Sequence, residues 1–214
     1  MNILLIGPQG SGKGTQAEIL VEKMDLTYIE MGGLLREAAK DNPTVDRIMN
    51  VEGKLVPDEI TFGIVTEKIN KVAPEKDNIL FDGFPRSVSQ YETLSNWFGE
   101  YGKKIDVAVL IDIPDAESVR RLSARRKCSK CGKIWNLVTS PKPPTDTSCD
   151  CGGELIQRAD DTPEAIAKRL KVYHETTSEL GDLLMEKGIL MKVDGTGSID
   201  EVTGEILEGL KKWA

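Results

Sequence analysis

The sequence lacks the long apolar runs that carry a chain into or across a membrane. No run approaches the roughly 18 to 20 apolar residues of a membrane span, and the N-terminal one, 3–6, holds only four residues. We therefore expect a cytoplasmic protein with no cleaved signal and no membrane contact. Histidine is nearly absent too. The single one, His174, falls in a predicted long helix and is interpreted as a partly exposed residue without a catalytic role.

The sequence has fewer basic than acidic residues. The 28 lysines and arginines face 35 aspartates and glutamates, and the net charge of −7 argues against a general nucleic-acid binder. Hydrophobic residues make up 39% and charged residues 29%, which is typical of a globular protein and excludes the disordered and fibrous classes. A length of 214 residues suffices for one α/β domain with insertions.

Cysteines are few and are confined to one segment. All four fall between Cys128 and Cys151, whereas the disulfide framework of a secreted domain is spread over the chain. The same segment, 127–154, is proline-rich around 141–144 and shows little helical periodicity. We expect a small separate subdomain there, inserted in the main domain and held by a metal.

The first fifteen residues carry the strongest motif. An apolar run at 3–6 precedes Gly-Pro-Gln-Gly-Ser-Gly-Lys-Gly-Thr at 7–15, and apolar residues then recur at helical spacing from Ala17 to Met24. A strand, a glycine loop and a helix in that order are typical of a phosphate-binding loop. Glycines let backbone N–H groups converge on phosphate oxygens at the positive end of the helix, and Lys13 adds a full charge.

Further strands are predicted at 27–29, 78–82, 107–111 and 190–193, separated by helical patterns. This alternation predicts a parallel sheet covered by helices on both faces, with its ligand crevice at the carboxyl ends of the strands. Both the glycine loop and Asp82, which ends its strand, fall at that edge.

Three helices have predicted boundaries that bear on the site. Asn42 followed by proline predicts the start of a short helix that stops at Gly53, and Thr162 followed by proline predicts the start of a long one. A helix from Asp115 toward Arg126 would place Arg121 and Arg125 on one face.

Ordered motifs run along the chain. They are Gly-Pro-Gln-Gly-Ser-Gly-Lys-Gly-Thr at 7–15, Leu-Leu-Arg at 34–36, Gly-Lys-Leu-Val at 53–56, Asp-Gly-Phe-Pro-Arg at 82–86 with Gln90, the arginine-rich 121–126, Arg-Ala-Asp-Asp at 158–161, Arg169, and Val-Asp-Gly at 193–195. In this order the sequence resembles the adenylate kinases of the long-lid type over nearly its whole length. The resemblance implies a P-loop NTPase-like, five-stranded parallel sheet with two inserted subdomains.

The resemblance also implies an activity and a division of the chain. The activity is reversible, magnesium-dependent transfer of the γ-phosphoryl group of ATP to AMP, giving two ADP, in a monomer that binds no nucleic acid. The core would comprise 1–29, 60–119 and 163–214, the AMP-binding insertion 30–59, and the lid 120–162. Lid closure over the reacting groups would exclude water, so we expect slow ATPase activity without acceptor and turnover limited by lid motion.

Site residues are carried over from the family by position. The catalytic set is Lys13, Arg86, Arg121, Arg125, Arg158 and Arg169. The ATP site is Gly10, Ser11, Gly12, Lys13, Gly14 and Thr15 with Arg121 and Arg125. The AMP site is Met31, Arg36, Lys54, Val56, Gly83, Arg86, Gln90, Arg158 and Arg169. Asp82 would hold Mg²⁺ through water, and Cys128, Cys131, Cys149 and Cys151 would bind a structural Zn²⁺.

Phosphoryl transfer suits these residue types because its transition state spreads charge over the equatorial oxygens, so that lysine, arginine and Mg²⁺ stabilise it electrostatically. A nucleoside monophosphate acceptor needs no general base, since its phosphate has a second pKa near ~6 and is already ionised at neutral pH.

Two departures from the family concern the nucleotide sites. Gly14 stands where a P-loop usually has a hydroxyl, with Thr15 one place later, so a direct hydroxyl ligand to magnesium is doubtful. The family's usual Thr-Gly-Asp is Met31-Gly32-Gly33 here, which leaves UMP, CMP or GMP open as acceptors. Met31 packs either on a purine or in the core.

A third departure concerns the cysteines. The second half of the metal site, Cys149-Asp150-Cys151, is one residue shorter than the family's C-x-x-C or C-x-x-D. Four thiolates still favour tetrahedral zinc, with Asp150 as a less favoured ligand and a metal-free or redox pair as the alternative. The remaining alternative to an enzyme is a zinc-containing protein that uses the glycine loop only to sense ATP.

Overall fold

The structure is a computed structural model that describes residues 1–48 and 56–213. Its strands in these ranges are β1 (Ile3–Ile6), β2 (Thr27–Glu30), β3 (Ile79–Asp82), β4 (Val107–Asp112), β5 (Arg125–Cys128), β6 (Ile134–Asn136), β7 (Leu155–Ile156) and β8 (Leu190–Asp194). Five of them form a parallel sheet in the order β2-β3-β1-β4-β8, and the other three an antiparallel sheet in the order β6-β5-β7.

Helices alternate with the strands of the large sheet. They are α1 (Lys13–Met24), α2 (Met31–Asp41), α3 (Pro43–Asp46), α4 (Asp58–Val72), α5 (Val88–Glu100), α6 (Asp115–Ser123), α7 (Pro163–Glu186) and α8 (Ile199–Leu210). A single 3₁₀ turn, Ala159–Asp161, precedes α7. None of the helices in the described ranges combines the length and the apolar character that crossing a bilayer requires.

The large sheet is buried on both faces. The strands β1 and β4 are almost wholly apolar, as expected of parallel strands covered on both sides. One face packs in a core cluster with residues of α2, α4, α5 and α7, and the other in a cluster with residues of α1 and α8. The predicted fold class, a five-stranded parallel sheet covered by helices, is confirmed.

The small sheet has a hydrophobic cluster of its own, separate from the two around the large sheet. Its buried members are Cys128, Trp135, Cys149 and Leu155. Two of the four are cysteines, so this subdomain has little apolar surface to bury without help from another kind of interaction.

The helix predicted from Asp115 toward Arg126 is wrong at its carboxyl end. The helix α6 stops at Ser123, and Arg125 begins β5, so Arg121 and Arg125 do not share a helix face. The physical reason is tertiary: β5 lies between β6 and β7 and gains ladder hydrogen bonds on both edges, which override the local helical preference.

The two predicted helix starts are confirmed. The Asn42 side chain accepts hydrogen bonds from the backbone N–H groups of Thr44 and Val45, and Thr162 accepts one from Ala165. The predicted end of the short helix at Gly53 lies outside the described residues. His174 lies on α7, half-exposed, with its Nε2 3.0 Å from the Asp115 carboxylate.

Candidate active site

The glycine loop connects β1 to α1 with a backbone that only glycine adopts readily. Gly7, Gly10 and Gly12 have φ values of 142°, 84° and 98°. A Cβ on Gly7 would also lie 2.2 Å from the carbonyl oxygen of Ile111, at the end of the neighbouring strand β4. The loop therefore needs glycine both for its turns and for its close approach to the sheet.

Lys13, the first residue of α1, folds back over this loop. Its Nζ donates hydrogen bonds to the carbonyl oxygens of Gly7 and Pro8, both at 2.8 Å. Burial of the ammonium group, together with the positive charges of nearby arginines, lowers the pKa of Lys13 to about 8, although Asp82 acts in the opposite direction. The Lys13 ammonium group is therefore buried among other positive charges, with Asp82 as the carboxylate that offsets them.

Two buried side-chain atoms of the loop have no hydrogen-bond partner: Gln9 Oε1 and the Ser11 hydroxyl oxygen. They are the two such atoms found within residues 1–48 and 56–213. A buried polar group without a partner costs free energy, on the order of 1–3 kcal/mol, and commonly marks a site completed by a ligand or water. The Ser11 hydroxyl lies just before the start of α1 and can therefore donate a hydrogen bond to an anion bound there.

Asp82 lies at the carboxyl end of β3, beside the loop, where the sequence predicts it. Its Oδ2 accepts a hydrogen bond from the Tyr28 hydroxyl at 3.1 Å and would be 3.8 Å from a Cβ at Gly14. Burial raises the pKa of Asp82, while Lys13 and the Tyr28 hydroxyl act against this rise. Its carboxylate is the acidic group through which Lys13 is electrostatically compensated.

Three of the predicted arginines are held by a pair of aspartates from the 3₁₀ turn. Arg125 makes a bidentate contact to the fully buried Asp161, at 2.8 and 2.6 Å, and Arg158 makes one to Asp160, at 2.8 and 2.7 Å. Arg169 reaches both carboxylates, at 3.1 and 3.6 Å. Burial alone would raise the pKa of Asp160, yet Arg158 and Arg169 hold it below its ordinary value.

Arginines from three different segments lie near Lys13: Arg86 follows β3, Arg125 begins β5 and Arg169 lies on α7. Among the charges that depress the Lys13 pKa are those of Arg86, Arg169 and Arg125. Burial lowers the pKa of Arg86, whose Nε donates to the Gly83 carbonyl at 2.7 Å, and lowers that of Arg169 to about 10. Arg121 is held by other partners, since it donates to Glu117 and to the carbonyl oxygen of Gly195.

Arg36 is paired with Glu30 at the start of α2. Its Nη2 lies 3.0 Å from Glu30 Oε1, in a half-exposed ion pair. The carboxylate of Glu30 lies against Gly32 and Gly33, and a Cβ at Gly33 would be 2.3 Å from its Oε2. The absence of the family's aspartate at position 33 therefore coincides with a carboxylate supplied from position 30.

Five of the predicted acceptor residues, Met31, Val56, Gly83, Arg86 and Gln90, line one small cavity, whereas Arg36, Arg158 and Arg169 do not. Its lining is Met31, Leu35, Val56, Thr61, Gly83, Phe84, Arg86 and Gln90. Its volume, about 20 Å³, holds a water molecule but no base, so the lining must separate for a ligand to enter. Met31, 1% exposed, belongs to the hydrophobic core as well as to this lining. The predicted Lys54 lies outside the described residues.

The four cysteines converge at one end of the small sheet. All four Sγ atoms lie within 4.8 Å of one another, with Cys128 and Cys151 3.5 Å apart and Cys131 and Cys149 3.6 Å apart. Four thiolates at about 2.3 Å from a tetrahedral zinc would be about 3.8 Å apart, which these distances approach. The short second half therefore does not prevent the four sulfurs from meeting. Asp150 lies beside them, with its Oδ2 2.7 Å from Lys133 Nζ and its Oδ1 3.0 Å from Cys149 Sγ.

Two kinds of donor support these sulfurs. The backbone N–H groups of Lys130 and Cys131 each lie 3.4 Å from Cys128 Sγ, and the buried indole N–H of Trp135 donates to Cys149 Sγ at 3.2 Å. N–H donors of this kind stabilise thiolates and orient metal ligands. The donor set therefore fits a closed, structural zinc site.

A phosphate-binding loop on a parallel sheet, ringed by arginines and one carboxylate, defines a P-loop protein of the phosphoryl-transfer class. The sequence model of the family described as adenylate kinase matches residues 5–189. Proteins named adenylate kinase from Archaeoglobus fulgidus and Syntrophobacter fumaroxidans are 42% and 43% identical to this chain. The alignments cover 99% of both chains in the first case, and 96% of this chain and 98% of the relative in the second. The chain belongs to the adenylate kinase family, and is a nucleoside monophosphate kinase.

Sequence reasoning missed several groups that contact the predicted residues. They are Tyr28 and Glu30, the two aspartates 160 and 161, and Trp135. The sequence shows the Arg-Ala-Asp-Asp motif and has glycine at position 33, where the family has aspartate. Neither observation predicts which residue pairs with which arginine.

Proposed function

We propose that this protein transfers the γ-phosphoryl group of Mg-ATP to AMP. The observation that supports this most directly is the convergence of Lys13, Arg86, Arg125 and Arg169 beside the glycine loop, next to the cavity that contains Met31 and Gln90. A polyphosphate on the loop and a monophosphate in the cavity would approach each other across these cations. Family membership supports the reaction class.

The donor side of the reaction rests on the loop. Backbone N–H groups at the start of α1, the Ser11 hydroxyl and Lys13 would bind the β- and γ-phosphates, and Gly10, Gly12, Gly14 and Thr15 would form the rest of that cradle. Arg121 and Arg125 would hold the triphosphate from the lid side. Nucleotide binding then requires Lys13 to leave its carbonyl partners and the Arg125 guanidinium to donate to a phosphate as well as to Asp161.

The acceptor side rests on Arg36, Arg86, Arg158 and Arg169, which would bind the AMP phosphate and the transferring group. No general base is needed, because the attacking phosphate oxygen is already ionised near neutral pH. Catalysis is then positioning of two anions, plus stabilisation of the charge on the transferring oxygens by buried cations. The Gly83 backbone and the segment with Lys54 and Val56 would line the base pocket.

The residues present fit a magnesium ion that enters with ATP. Asp82 is a single carboxylate beside the loop, and Mg²⁺ bound to phosphates commonly keeps its waters and takes one or two carboxylates. Gly14 offers no hydroxyl, so Asp82 is the protein group proposed to hold the ion, through water. Bound there, the ion would neutralise charge on the β- and γ-phosphates.

The division into core 1–29, 60–119 and 163–214, AMP-binding insertion 30–59 and lid 120–162 is part of the proposal. The separate cluster of Cys128, Trp135, Cys149 and Leu155 supports a lid that moves as a unit, held by Zn²⁺ on the four thiolates. Closure of that lid would bring Arg121, Arg125 and Arg158 onto the triphosphate and exclude water. Monomeric state and cytoplasmic location complete the proposal.

An acceptor panel tests the proposal. The protein is incubated with Mg-ATP and AMP, GMP, CMP or UMP, and the nucleotides are separated and quantified, with Lys13→Ala as control for contaminating kinases. We expect ADP from AMP, loss of that product in the control, and slow ATP hydrolysis when no acceptor is present. A better pyrimidine or GMP acceptor would leave the reaction class but overturn the AMP assignment. ATP binding without transfer to any acceptor would overturn the kinase assignment.

The lowered pKa of Lys13 gives a prediction for ATP binding. With a pKa of about 8, about three-quarters of the free protein lacks this proton at pH 8.5. Bound phosphates favour the charged form, so ATP binding takes up about 0.7 proton per chain at pH 8.5 and very little from Lys13 at pH 6.5. Binding affinity for ATP consequently falls as pH rises above 8.

Calorimetric titration with ATP in buffers of different ionisation enthalpy measures this uptake. Lys13→Met is the matched control and removes the uptake at pH 8.5 along with most of the affinity. Equal binding enthalpies in all buffers at pH 8.5 would contradict a neutral Lys13 in the free protein.

A further inference from the structure

The side-chain amide of Gln90 is held in one orientation. The backbone N–H of Arg86 donates to Gln90 Oε1 at 2.7 Å, and Gln90 Nε2 donates to Asp58 Oδ1 at 2.7 Å. A backbone N–H can only donate and a carboxylate can only accept, so the two amide ends are assigned by chemistry. Turning the amide by 180° would place two donors face to face at one end and two acceptors at the other.

Asp58, which imposes half of this assignment, is itself fixed. It is the first residue of α4, and its second oxygen accepts a hydrogen bond from Ser89 Oγ at 2.9 Å. The Asp58 contact therefore ties α4 to α5 on the rim of the cavity that Gln90 lines. Gln90 is 5% exposed, so few waters compete for its amide.

We propose that Asp58 is a specificity-determining positioning residue, which selects adenine over guanine by fixing the amide of Gln90. This rests on the proposed function, in which Gln90 contacts the acceptor base. With its two protein bonds made, the amide retains one N–H on Nε2 and one lone pair on Oε1. It therefore presents a donor and an acceptor in a fixed order.

The two purines differ in that order. Adenine presents the N1 acceptor beside its 6-amino donor, whereas guanine presents an N1–H donor beside the O6 acceptor. A freely turning amide satisfies either base, as glutamine and asparagine do in general. A fixed amide forms both hydrogen bonds with adenine but places donor against donor and acceptor against acceptor with guanine. A matched bidentate contact commonly favours the correct base by about tenfold to a hundredfold.

Asp58→Asn tests the inference in the full-length protein. Asparagine offers Gln90 either an oxygen or an N–H, so the half of the constraint that Asp58 imposes is removed and only the backbone N–H of Arg86 still favours the original orientation of the amide. We expect the ratio of kcat/KM for AMP to that for GMP to fall by up to about tenfold. The change should come mainly from KM, since Asp58 touches no reacting group, and kcat at saturating AMP should stay within about threefold.

Two further variants keep the test decisive. Glu59→Gln removes the same charge from the first turn of α4 at an exposed neighbouring position, and should leave the ratio unchanged. Ser89→Ala removes the hydrogen bond to the second oxygen of Asp58 and should lower the AMP to GMP ratio by a smaller factor. This variant still tests the inference if Asp58→Asn folds poorly.

The outcomes separate this inference from the proposed function. An Asp58→Asn protein that folds and retains the wild-type ratio, as Glu59→Gln does, would overturn the role of Asp58 alone. A general loss of activity toward both nucleotides without a change of ratio would assign Asp58 a merely structural role, and also overturn it. Failure of the wild-type protein to phosphorylate AMP would overturn the proposed function, and this inference with it.

Discussion

We expect Arg86→Lys to lower kcat by about 10³-fold while leaving the fold intact, which corresponds to about 4 kcal/mol of transition-state stabilisation. The reason is geometric as well as electrostatic. The Arg86 guanidinium is buried, is oriented by the Gly83 carbonyl at 2.7 Å, and lies close enough to Lys13 to depress its pKa. A lysine keeps the charge but cannot make the planar, forked contacts that a phosphoryl group favours.

The matched control is Arg126→Lys. Arg126 lies in the same arginine-rich region, but its guanidinium contacts the carbonyl oxygens of Ser123 and Arg125 instead of facing the loop. Steady-state kinetics with Mg-ATP and AMP, together with thermal midpoints of both variants, provide the comparison. A fall below tenfold for Arg86→Lys, or an equal fall for Arg126→Lys, would contradict the proposed role of Arg86.

Removal of the zinc proposed to bind the four cysteines has the second large expected effect. Purified protein should contain one zinc per chain, and its removal by Cys149→Ser or by a strong chelator should lower the thermal midpoint by about 10 °C. The small sheet buries only a few apolar side chains, two of its four buried members being the cysteines Cys128 and Cys149, so the bound ion would supply most of its stability. Kinase activity should fall with the lid.

Asp150→Asn distinguishes a zinc site made of the four cysteines from one in which Asp150 is a ligand. Asp150 contacts both Lys133 and Cys149 Sγ, but the four sulfurs by themselves complete a tetrahedral ligand set, so neutralisation of Asp150 should leave one zinc per chain and a wild-type midpoint. Metal analysis and thiol titration with and without chelator measure the content directly. Equal zinc content in Cys149→Ser and wild type, or loss of zinc in Asp150→Asn, would contradict the four-cysteine assignment.

The parts of the molecule that sequence predicts well are those determined by neighbours in the chain. The glycine loop, the start of α1 at Lys13 and the position of Asp82 at the end of β3 all follow from one strand-loop-helix pattern and one apolar run. The order of the strands also places loop and carboxylate at one edge, because parallel strands share their carboxyl ends.

Several of the parts that sequence did not yield depend on partners far along the chain. Arg125 begins a strand because β5 pairs with β6, where Arg125 faces Asn136, and with β7, and no local pattern near Ser123 reports this. In the same way, the pairing of Arg125 with Asp161 crosses 36 positions, and that of Gln90 with Asp58 crosses 32. Such contacts appear only when the fold brings the segments together.

Glu30 shows how a departure in sequence acquires a physical meaning. The sequence alone presents Gly33 as a lost side chain, whereas the structure shows the Glu30 carboxylate lying where a side chain at 33 would begin. The same carboxylate is the acidic partner of Arg36. A pattern match registers the missing aspartate but has no means to find the group that takes its place.

The most direct measurement follows the γ-phosphoryl group itself. ATP labelled in its γ-phosphate is mixed with the protein, Mg²⁺ and unlabelled AMP for a single turnover, and the label is located by separating the products. Transfer between the donor on the loop and the acceptor beside Gln90 predicts label in the β-phosphate of ADP formed from AMP, none of it with Lys13→Ala. Label in inorganic phosphate, with AMP unchanged, would contradict the account.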